Sequence, residues 1–137
     1  MNKQVNRAEG MGAYDPKAPG FAPFTSQIPA FLDGASTPRD YLERCIEAIQ
    51  AREPQVMAFV CQNLEIARAA ADAASQRYKN GNPLSPVDGM PVGVKDIIET
   101  QDMPTEYGSD MFAGHQSKWD AACVYWLRRG GAAIIGK

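Results

Sequence analysis

Two apolar stretches decide the fold: residues 92–98 read VGVKDII, and residues 132–135 read AAII. Their β-branched residues favour strands, and the sequence KWDAACVYWLRR predicts a helix over residues 118–129. A strand, a crossover helix and a second strand form a βαβ unit, in which the two strands run parallel. Parallel strands are normally covered on both faces, so we expect further elements to pack on either side of this unit.

The predicted crossover helix has a recognisable start. Ser117 followed by Asp120 resembles a capping box, and Gly130 ends the helix. Four of its side chains are expected near one side: Trp119, Cys123, Trp126 and Leu127. The strand at 132–135 is expected to take its outer neighbour from further chain, which would leave its apolar edge uncovered here.

The sequence before this unit predicts a helix, a short strand and a second helix. The first helix has Thr37 as its N-cap and runs to about Arg52, and Pro54 is expected to end it. Residues 55–61, QVMAFVC, have the composition of a strand, and Asn63 can cap the second, alanine-rich helix. The chain is therefore predicted to be an α/β protein.

The first 36 residues differ from the rest in composition. Residues 10–34 contain four Gly and four Pro among apolar residues with no helical or strand period, which predicts an extended arm. The arm is expected to lie along the surface of something larger. The predicted domain organisation is thus an arm at 1–36 and an α/β segment at 37–137.

Charge and composition exclude several classes of protein. Fourteen basic residues face sixteen acidic ones, so the chain lacks the basic face that nucleic acid requires. The sequence contains neither an apolar run long enough to span a membrane nor a secretory signal, and we expect a cytoplasmic protein. The three cysteines show no metal or disulfide spacing and are interpreted as small buried hydrophobic residues: Cys45, Cys61 and Cys123.

Three features that suggest chemistry are better explained as structure. Residues 131–137 match GxxxxGK, but the four middle positions favour a strand rather than a phosphate-binding loop. His115 is the only histidine and has no metal-spaced neighbour, so it is interpreted as a polar loop residue. The acids between 96 and 110 lack the pattern of a calcium loop and are interpreted as solvated. The sequence predicts neither a metal site nor a cofactor.

Lys95 is the exception. It lies within VGVKDII, so its side chain is expected on a largely buried face of the strand, where lysines are rare without a partner. Burial disfavours the charged ammonium, and a neutral lysine can act as a general base. The structural alternative is a lysine that extends to solvent from a strand end.

Three segments in order resemble the amidase signature family. They are DGMPVGVKDII at 88–98, DMPTEYGSDMF at 102–112 and DAACVYWLRRGGAAIIGK at 120–137. The resemblance implies the N-terminal part of a mixed β-sheet covered by helices. It also implies an enzyme that hydrolyses carbon–nitrogen amide bonds through a Ser, cis-Ser, Lys triad, with Lys95 at the position of the catalytic lysine.

The same resemblance implies that the chain lacks two members of this triad. In the family, both serines follow the strand that matches residues 132–135, and none of the serines present lies in that context. We therefore expect the chain to be inactive without the remainder of an amidase chain. The loop 103–115 is expected to border the active-site entrance, which makes three residues candidates for substrate contact: Thr105, Tyr107 and Ser109.

Alternatives remain within and outside the family. The stretch GSDMFAGH and the helix start at Trp119 differ from the text typical of subunits that amidate mischarged transfer RNA, which favours a simple amidase. Its expected partners are a small-molecule amide, the rest of the chain and, as an alternative, a second copy. Outside the family, the chain could be a non-catalytic α/β binding or scaffold domain, or use Lys95 to form a Schiff base.

Overall fold

The computed structural model describes residues 23–137. Two short 3₁₀ segments, Phe24–Gln27 and Asp110–Phe112, accompany the main elements. The helices are α1 (Ile28–Leu32), α2 (Pro38–Val56), α3 (Leu64–Lys79) and α4 (Ala122–Arg129), and the strands are β1 (Pro91–Gly93) and β2 (Ala133–Gly136). Among the described residues, no helix has the length and apolar character needed to cross a membrane.

The predicted βαβ unit is confirmed. Strands β1 and β2 pair in parallel on either side of the α4 crossover, with Val92 opposite Ile134. Alternate side chains of β2 enter two different cores, and the strand is buried over its whole length. One core joins β2 to α2 and α3, and the other joins it to α4: Leu42, Ile46, Ala67, Ala71, Ala133 and Ile135 in the first, and Val94, Met103, Val124 and Ile134 in the second.

The expected uncovered edge of β2 is wrong. The segment that follows α2 lies antiparallel along that edge: Val60 N donates to the carbonyl of Lys137 over 2.7 Å, and Asn63 N donates to Ile135 over 3.1 Å. The predicted strand at 55–61 is therefore only partly right, because Val56 still belongs to α2 and the pairing begins later. Both edges of β2 thus have partners within the described chain.

The helix preceding that segment begins as predicted but ends later. The side chain of Thr37 accepts from Asp40 N, and the carboxylate of Asp40 accepts from Thr37 N, so the capping box is complete. Pro54 lies inside α2 instead of ending it at Arg52. The helix ends where Met57 adopts a left-handed φ of 50° and its N–H bonds the carbonyl of Glu53. Pro54 has no N–H, so one i→i−4 bond is missing from the last turn of α2.

The start predicted for the crossover helix is wrong. Helix α4 begins at Ala122, and no side chain caps it. Asp120 instead accepts from the backbone N–H of Gln101 over 2.9 Å, and Ser117 bonds Glu99. On this helix Val124 is buried and Leu127 packs against the same core, whereas Trp126, and Trp119 before the helix, are exposed.

The N-terminal arm is helical where it is described. Residues 24–32 form the first 3₁₀ segment and α1, which corrects the expectation of an extended chain there. The ring of Phe31 packs edge-on against Tyr78 of α3 at 5.3 Å between centroids. The part of the predicted arm before residue 23 lies outside the described residues.

The cysteine interpretation holds only in part. Cys45 and Cys61 are half-buried, and burial raises the pKa of both thiols, which disfavours a reactive thiolate. Cys123 is exposed, so it is not a buried hydrophobic residue. Its position on the outer side of α4 follows from the helix face that Val124 buries.

Candidate active site

Lys95 lies just beyond the carboxyl end of β1. The strand ends at Gly93, Val94 N still donates to Gly136 over 2.9 Å, and the carbonyl of Lys95 then accepts from Ile97 N and Ile98 N. The chain therefore turns at Lys95, and its side chain is exposed. The expectation of a buried lysine inside a longer strand is wrong, because β1 ends at Gly93 and only Val92 and Gly93 of the apolar stretch are strand partners of β2.

Lys137 occupies the corresponding place after β2, and it is the buried lysine. Its side chain is fully shielded from solvent. The ammonium donates to the carbonyl of Pro104 over 2.9 Å and to the hydroxyl of Thr105, and it lies 3.3 Å from Oδ1 of Asp96. Since β1 and β2 are parallel neighbours, Lys95 and Lys137 share one edge of the sheet. Ligands of open α/β sheets bind at the carboxyl edge.

Asp96 connects the Lys95 turn to the loop that follows. Both of its carboxylate oxygens lie 3.2 Å from the backbone N–H of Glu106, and its own carbonyl accepts from Tyr107 N over 3.1 Å. The loop is also closed on itself, because Thr105 N donates to His115 over 2.8 Å. The turn that carries Lys95 and the loop 103–115 therefore form one hydrogen-bonded unit.

The three candidate substrate-contact residues lie at different depths. Thr105 is completely buried, with its hydroxyl bonded to Lys137. Tyr107 is 39% exposed, has a left-handed φ of 57°, and points its hydroxyl toward Glu99. Partial burial and the Glu99 carboxylate raise the pKa of this phenol. Ser109 is exposed and accepts from Met111 N, which caps the second 3₁₀ segment. Contact with substrate stays a prediction for all three.

The loop acids are not merely solvated, which corrects the sequence interpretation. Asp102 lies 2.6 Å from Nη2 of Arg128, and its side chain is only 10% exposed. Glu106 accepts from Gly114 N over 2.6 Å, and Glu99 lies 3.6 Å from Nε2 of His115. These carboxylates organise the loop as hydrogen-bond acceptors. Within residues 23–137, no group of three His, Cys, Asp or Glu side chains is arranged to hold a metal ion.

Sequence reasoning overlooked Lys137 and Asp96. The rejected GxxxxGK match is indeed a strand, since Ala133–Gly136 form β2. Because the motif was rejected as a phosphate-binding loop, its lysine, Lys137, was not considered as a site residue. The argument applied to Lys95, that a lysine beside a buried apolar strand needs partners, applies with more force to Lys137 after AAIIG.

The comparisons with known proteins identify the family of the chain. The Amidase family profile matches residues 40–137. The chain therefore belongs to the amidase family, and its helices and strands form part of the amidase-signature fold. The resemblance read from the sequence is confirmed, together with the α/β class.

Among curated proteins, the chain is similar to several that are named as components of glutamyl-tRNA(Gln) amidotransferase. The protein from Chloroflexus aggregans is 41% identical over 108 residues, which cover 79% of this chain and 22% of that protein. The protein from Rhodopirellula baltica is 37% identical over 113 residues, covering 82% and 23%. The chain thus spans about a fifth of the length of these relatives.

Among solved structures, the similar chains are amidases and a related complex. Peptide amidase from Stenotrophomonas maltophilia superposes with a TM-score of 0.77 at 25% identity, over 89% of this chain and 25% of that one. A complex described as vestigial, and as revealing the origins of an s-triazine catabolic enzyme, gives a TM-score of 0.78 at 30% identity, over 84% and 25%.

Proposed function

We propose that this chain supplies the general base of an amide-hydrolysing enzyme, and that Lys95 is that base. The observation that carries the proposal is the position of Lys95 after β1, exposed at the carboxyl edge of a sheet that belongs to the amidase-signature fold. Within residues 23–137, its ammonium forms neither an ion pair nor a hydrogen bond. A lysine at such an edge is available to groups that approach the sheet from outside.

The proposed reaction needs two serines in addition to this chain's lysine. The proposed reaction requires the remainder of the enzyme to cover Lys95, because burial disfavours a charged ammonium. Lys95 then takes a proton, through a bridging serine, from the hydroxyl of a nucleophilic serine, whose oxygen attacks the amide carbonyl. The carbon–nitrogen bond breaks as the nitrogen takes a proton, and water then hydrolyses the acyl ester. Backbone N–H groups near the nucleophile stabilise the oxyanion. We place both serines in the remainder of an amidase chain, which acts with residues 1–137.

The test joins residues 1–137 to the serine-bearing remainder of an amidase-signature enzyme. That part is taken from the chain's own reading frame where it continues, and otherwise from a relative. The fusion is expected to release ammonia from primary amides, and Lys95→Ala is expected to abolish the release. Lys95→Arg should be nearly as damaging, because a guanidinium stays protonated. The control is Lys118→Ala, which removes an exposed lysine after the loop.

Stability separates loss of the base from loss of the fold. Since the Lys95 side chain is exposed, Lys95→Ala should change the free energy of unfolding by less than about 0.5 kcal/mol. A folded fusion that hydrolyses no amide, or one that keeps its rate with alanine at position 95, would refute the proposal.

A second function has one specific observation in its favour. The 41% identity is to a protein named for glutamyl-tRNA(Gln) amidotransferase, whereas the sequence pattern at GSDMFAGH and Trp119 favours a simple amidase. A component of such an amidotransferase would release ammonia from an amide donor and act with partner proteins on glutamyl-tRNA(Gln). The test measures ammonia release from glutamine and from a panel of simple amides, each with and without charged tRNA. A preference for glutamine in the presence of the tRNA would favour the amidotransferase component over the simple amidase.

The loop after Lys95 and the exposed apolar side chains also have proposed roles. Tyr107 and Ser109 are proposed to border the substrate entrance, and Thr105 to support it from beneath. Exposed apolar side chains such as Met111, Trp119 and Trp126 suit contact with the remainder of the enzyme, or with a second copy. We also propose a cytoplasmic location for the enzyme. Size-exclusion chromatography with light scattering, on the chain and on the fusion, tests the association.

A further inference from the structure

The ammonium of Lys137 forms two hydrogen bonds and one ion pair. An ammonium has three N–H donors, and three acceptors surround this one: the Pro104 carbonyl at 2.9 Å, the Thr105 hydroxyl, and Asp96 Oδ1 at 3.3 Å. Lysines are almost never fully buried unless they are paired. The exposed fraction of its side chain is 0%, and that of Asp96 is 16%. Three acceptor groups of the protein therefore enclose one buried ammonium.

The three acceptors come from two separate parts of the chain. Asp96 lies in the turn that starts at Lys95, and Pro104 and Thr105 lie in the loop that follows this turn. Lys137 itself is fixed from the other side, because its N–H donates to Cys61 over 2.9 Å and its carbonyl accepts from Val60. The lysine therefore joins the Lys95 turn and the loop to the buried central strand.

We propose that Lys137 is a positioning residue for Lys95. It contacts Asp96, the residue directly after Lys95, and so fixes the turn from which the Lys95 side chain projects. This inference rests on the proposed function, in which Lys95 is the base. Misplacement of a catalytic group by about 1 Å can cost about 10²-fold in rate, so a small rotation of this turn is sufficient to matter.

Asp96 transmits the constraint through its carboxylate. Both oxygens bond the N–H of Glu106, and one also faces Lys137, so the turn cannot rotate without breaking these contacts. Without the ammonium, the buried end of Asp96 would lose the charge that compensates its partial desolvation. The turn would then move toward solvent and carry Lys95 with it.

The first experiment measures the connection itself and does not depend on catalysis. Hydrogen exchange is followed in the 137-residue chain with Lys137→Met, Thr105→Val and the control Lys118→Met. Faster exchange is expected at the amides of Glu106 and Tyr107 in the first two variants, and unchanged exchange in the control. Thr105→Val removes one acceptor of the Lys137 ammonium and keeps the side-chain shape nearly constant. This variant therefore tests the connection even if Lys137→Met does not fold. Unchanged exchange in both would overturn the proposal.

The second experiment measures positioning in the active fusion. Lys137→Met is expected to lower kcat about 10²-fold per folded molecule with KM nearly unchanged, because substrate binding does not depend on the base. Asp96→Asn should lower kcat in the same way, and the double variant should fall no further than the stronger single one. Lys137→Arg keeps the charge and should recover part of the rate.

The outcomes separate this proposal from the one on which it rests. If Lys95→Ala keeps full activity, the proposed function fails regardless of Lys137. If Lys95→Ala is inactive while Lys137→Met keeps the parent kcat per folded molecule, the proposed function stands and the positioning role is refuted. A loss of folded protein with unchanged kcat would likewise refute it, since that result describes a purely structural residue.

Discussion

Nη2 of Arg77 lies 2.6 Å from Oδ1 of Asp88, and the Asp88 side chain is completely buried. Nε of Arg77 donates to the other carboxylate oxygen over 2.9 Å, so the pair is bidentate, and Leu84 N donates to Asp88 as well. Asp88 raises the pKa of Arg77 through these hydrogen bonds. The pair joins the end of α3 to the entry of β1, and it therefore fixes the strand that leads to Lys95.

Removing one partner of this pair should be costly. Asp88→Ala leaves a partly buried guanidinium and a backbone N–H without their acceptor, and we expect a loss of about 3 to 5 kcal/mol in the free energy of unfolding. Urea unfolding measures it. The control is Asp72→Ala, whose carboxylate pairs with Arg39 at the surface and should cost less than about 1 kcal/mol. Equal losses would show that burial does not set the cost.

Gly131 should tolerate no side chain. Its φ is +92°, and a Cβ placed there would lie 2.1 Å from Oδ1 of Asp88, which Arg77 holds in place. Gly34 is the matched control, because its φ is +80° and nothing lies within 4 Å of its Cβ position. Gly34→Ala should cost about 1 to 2 kcal/mol, the strain of a left-handed residue. Gly131→Ala should cost clearly more, and similar melting temperatures would contradict this.

The buried side of α4 can be tested with two substitutions on the same helix. Val124 is fully buried against Ile134, so Val124→Ala should lose about 2 kcal/mol through lost burial and a cavity. Trp126 is 68% exposed, and Trp126→Ala should change stability by about 0.5 kcal/mol or less. Thermal unfolding of both variants is the measurement, and a larger loss for Trp126→Ala than for Val124→Ala would contradict this assignment of the buried side.

Glu43 should make stability depend on pH in the acid range. Hydrogen bonds from Arg68, and then from Arg39, lower the pKa of this carboxyl from 4.5 to about 2. The folded pKa is depressed, so the contribution is fully present above about pH 4.5 and is lost as pH falls toward about 2. The stability difference between the parent and Glu43→Gln should shrink over that interval.

The control for this experiment lies on the same helix. Glu47 is exposed and forms no ion pair within residues 23–137, so Glu47→Gln should leave the acid-range dependence as it is in the parent. Urea unfolding at a series of pH values gives both curves. A constant difference between the parent and Glu43→Gln would refute the assigned ion pairs with Arg39 and Arg68.

Local sequence was sufficient at several helix ends and for the buried strand β2. Thr37 with Asp40 specified the start of α2, and Asn63 capped α3 as predicted, because capping depends on residues three positions apart. The apolar run AAII predicted a buried strand, and the glycines before it predicted the end of α4. These same stretches carried the family resemblance that the profile match over 40–137 confirmed.

Long-range contacts overruled local patterns elsewhere. Ser117 and Asp120 have the spacing of a capping box, yet Asp120 bonds Gln101, nineteen positions earlier in the chain. The segment at 60–63 pairs with β2 although it lies more than seventy positions earlier in the chain, so the edge expected to be open is covered. Neither contact has a sequence pattern, because each depends on how distant segments meet in space.

The two lysines show this division most clearly. From its sequence alone, the chain was recognisable as an α/β member of the amidase family with Lys95 at the position of interest, since strand composition and motif order are written in neighbouring residues. Tertiary structure decided that Lys95 is exposed and that Lys137 is buried. The reason is physical: burial of an ammonium depends on acceptors from Asp96, Pro104 and Thr105, which only the folded chain brings to one point.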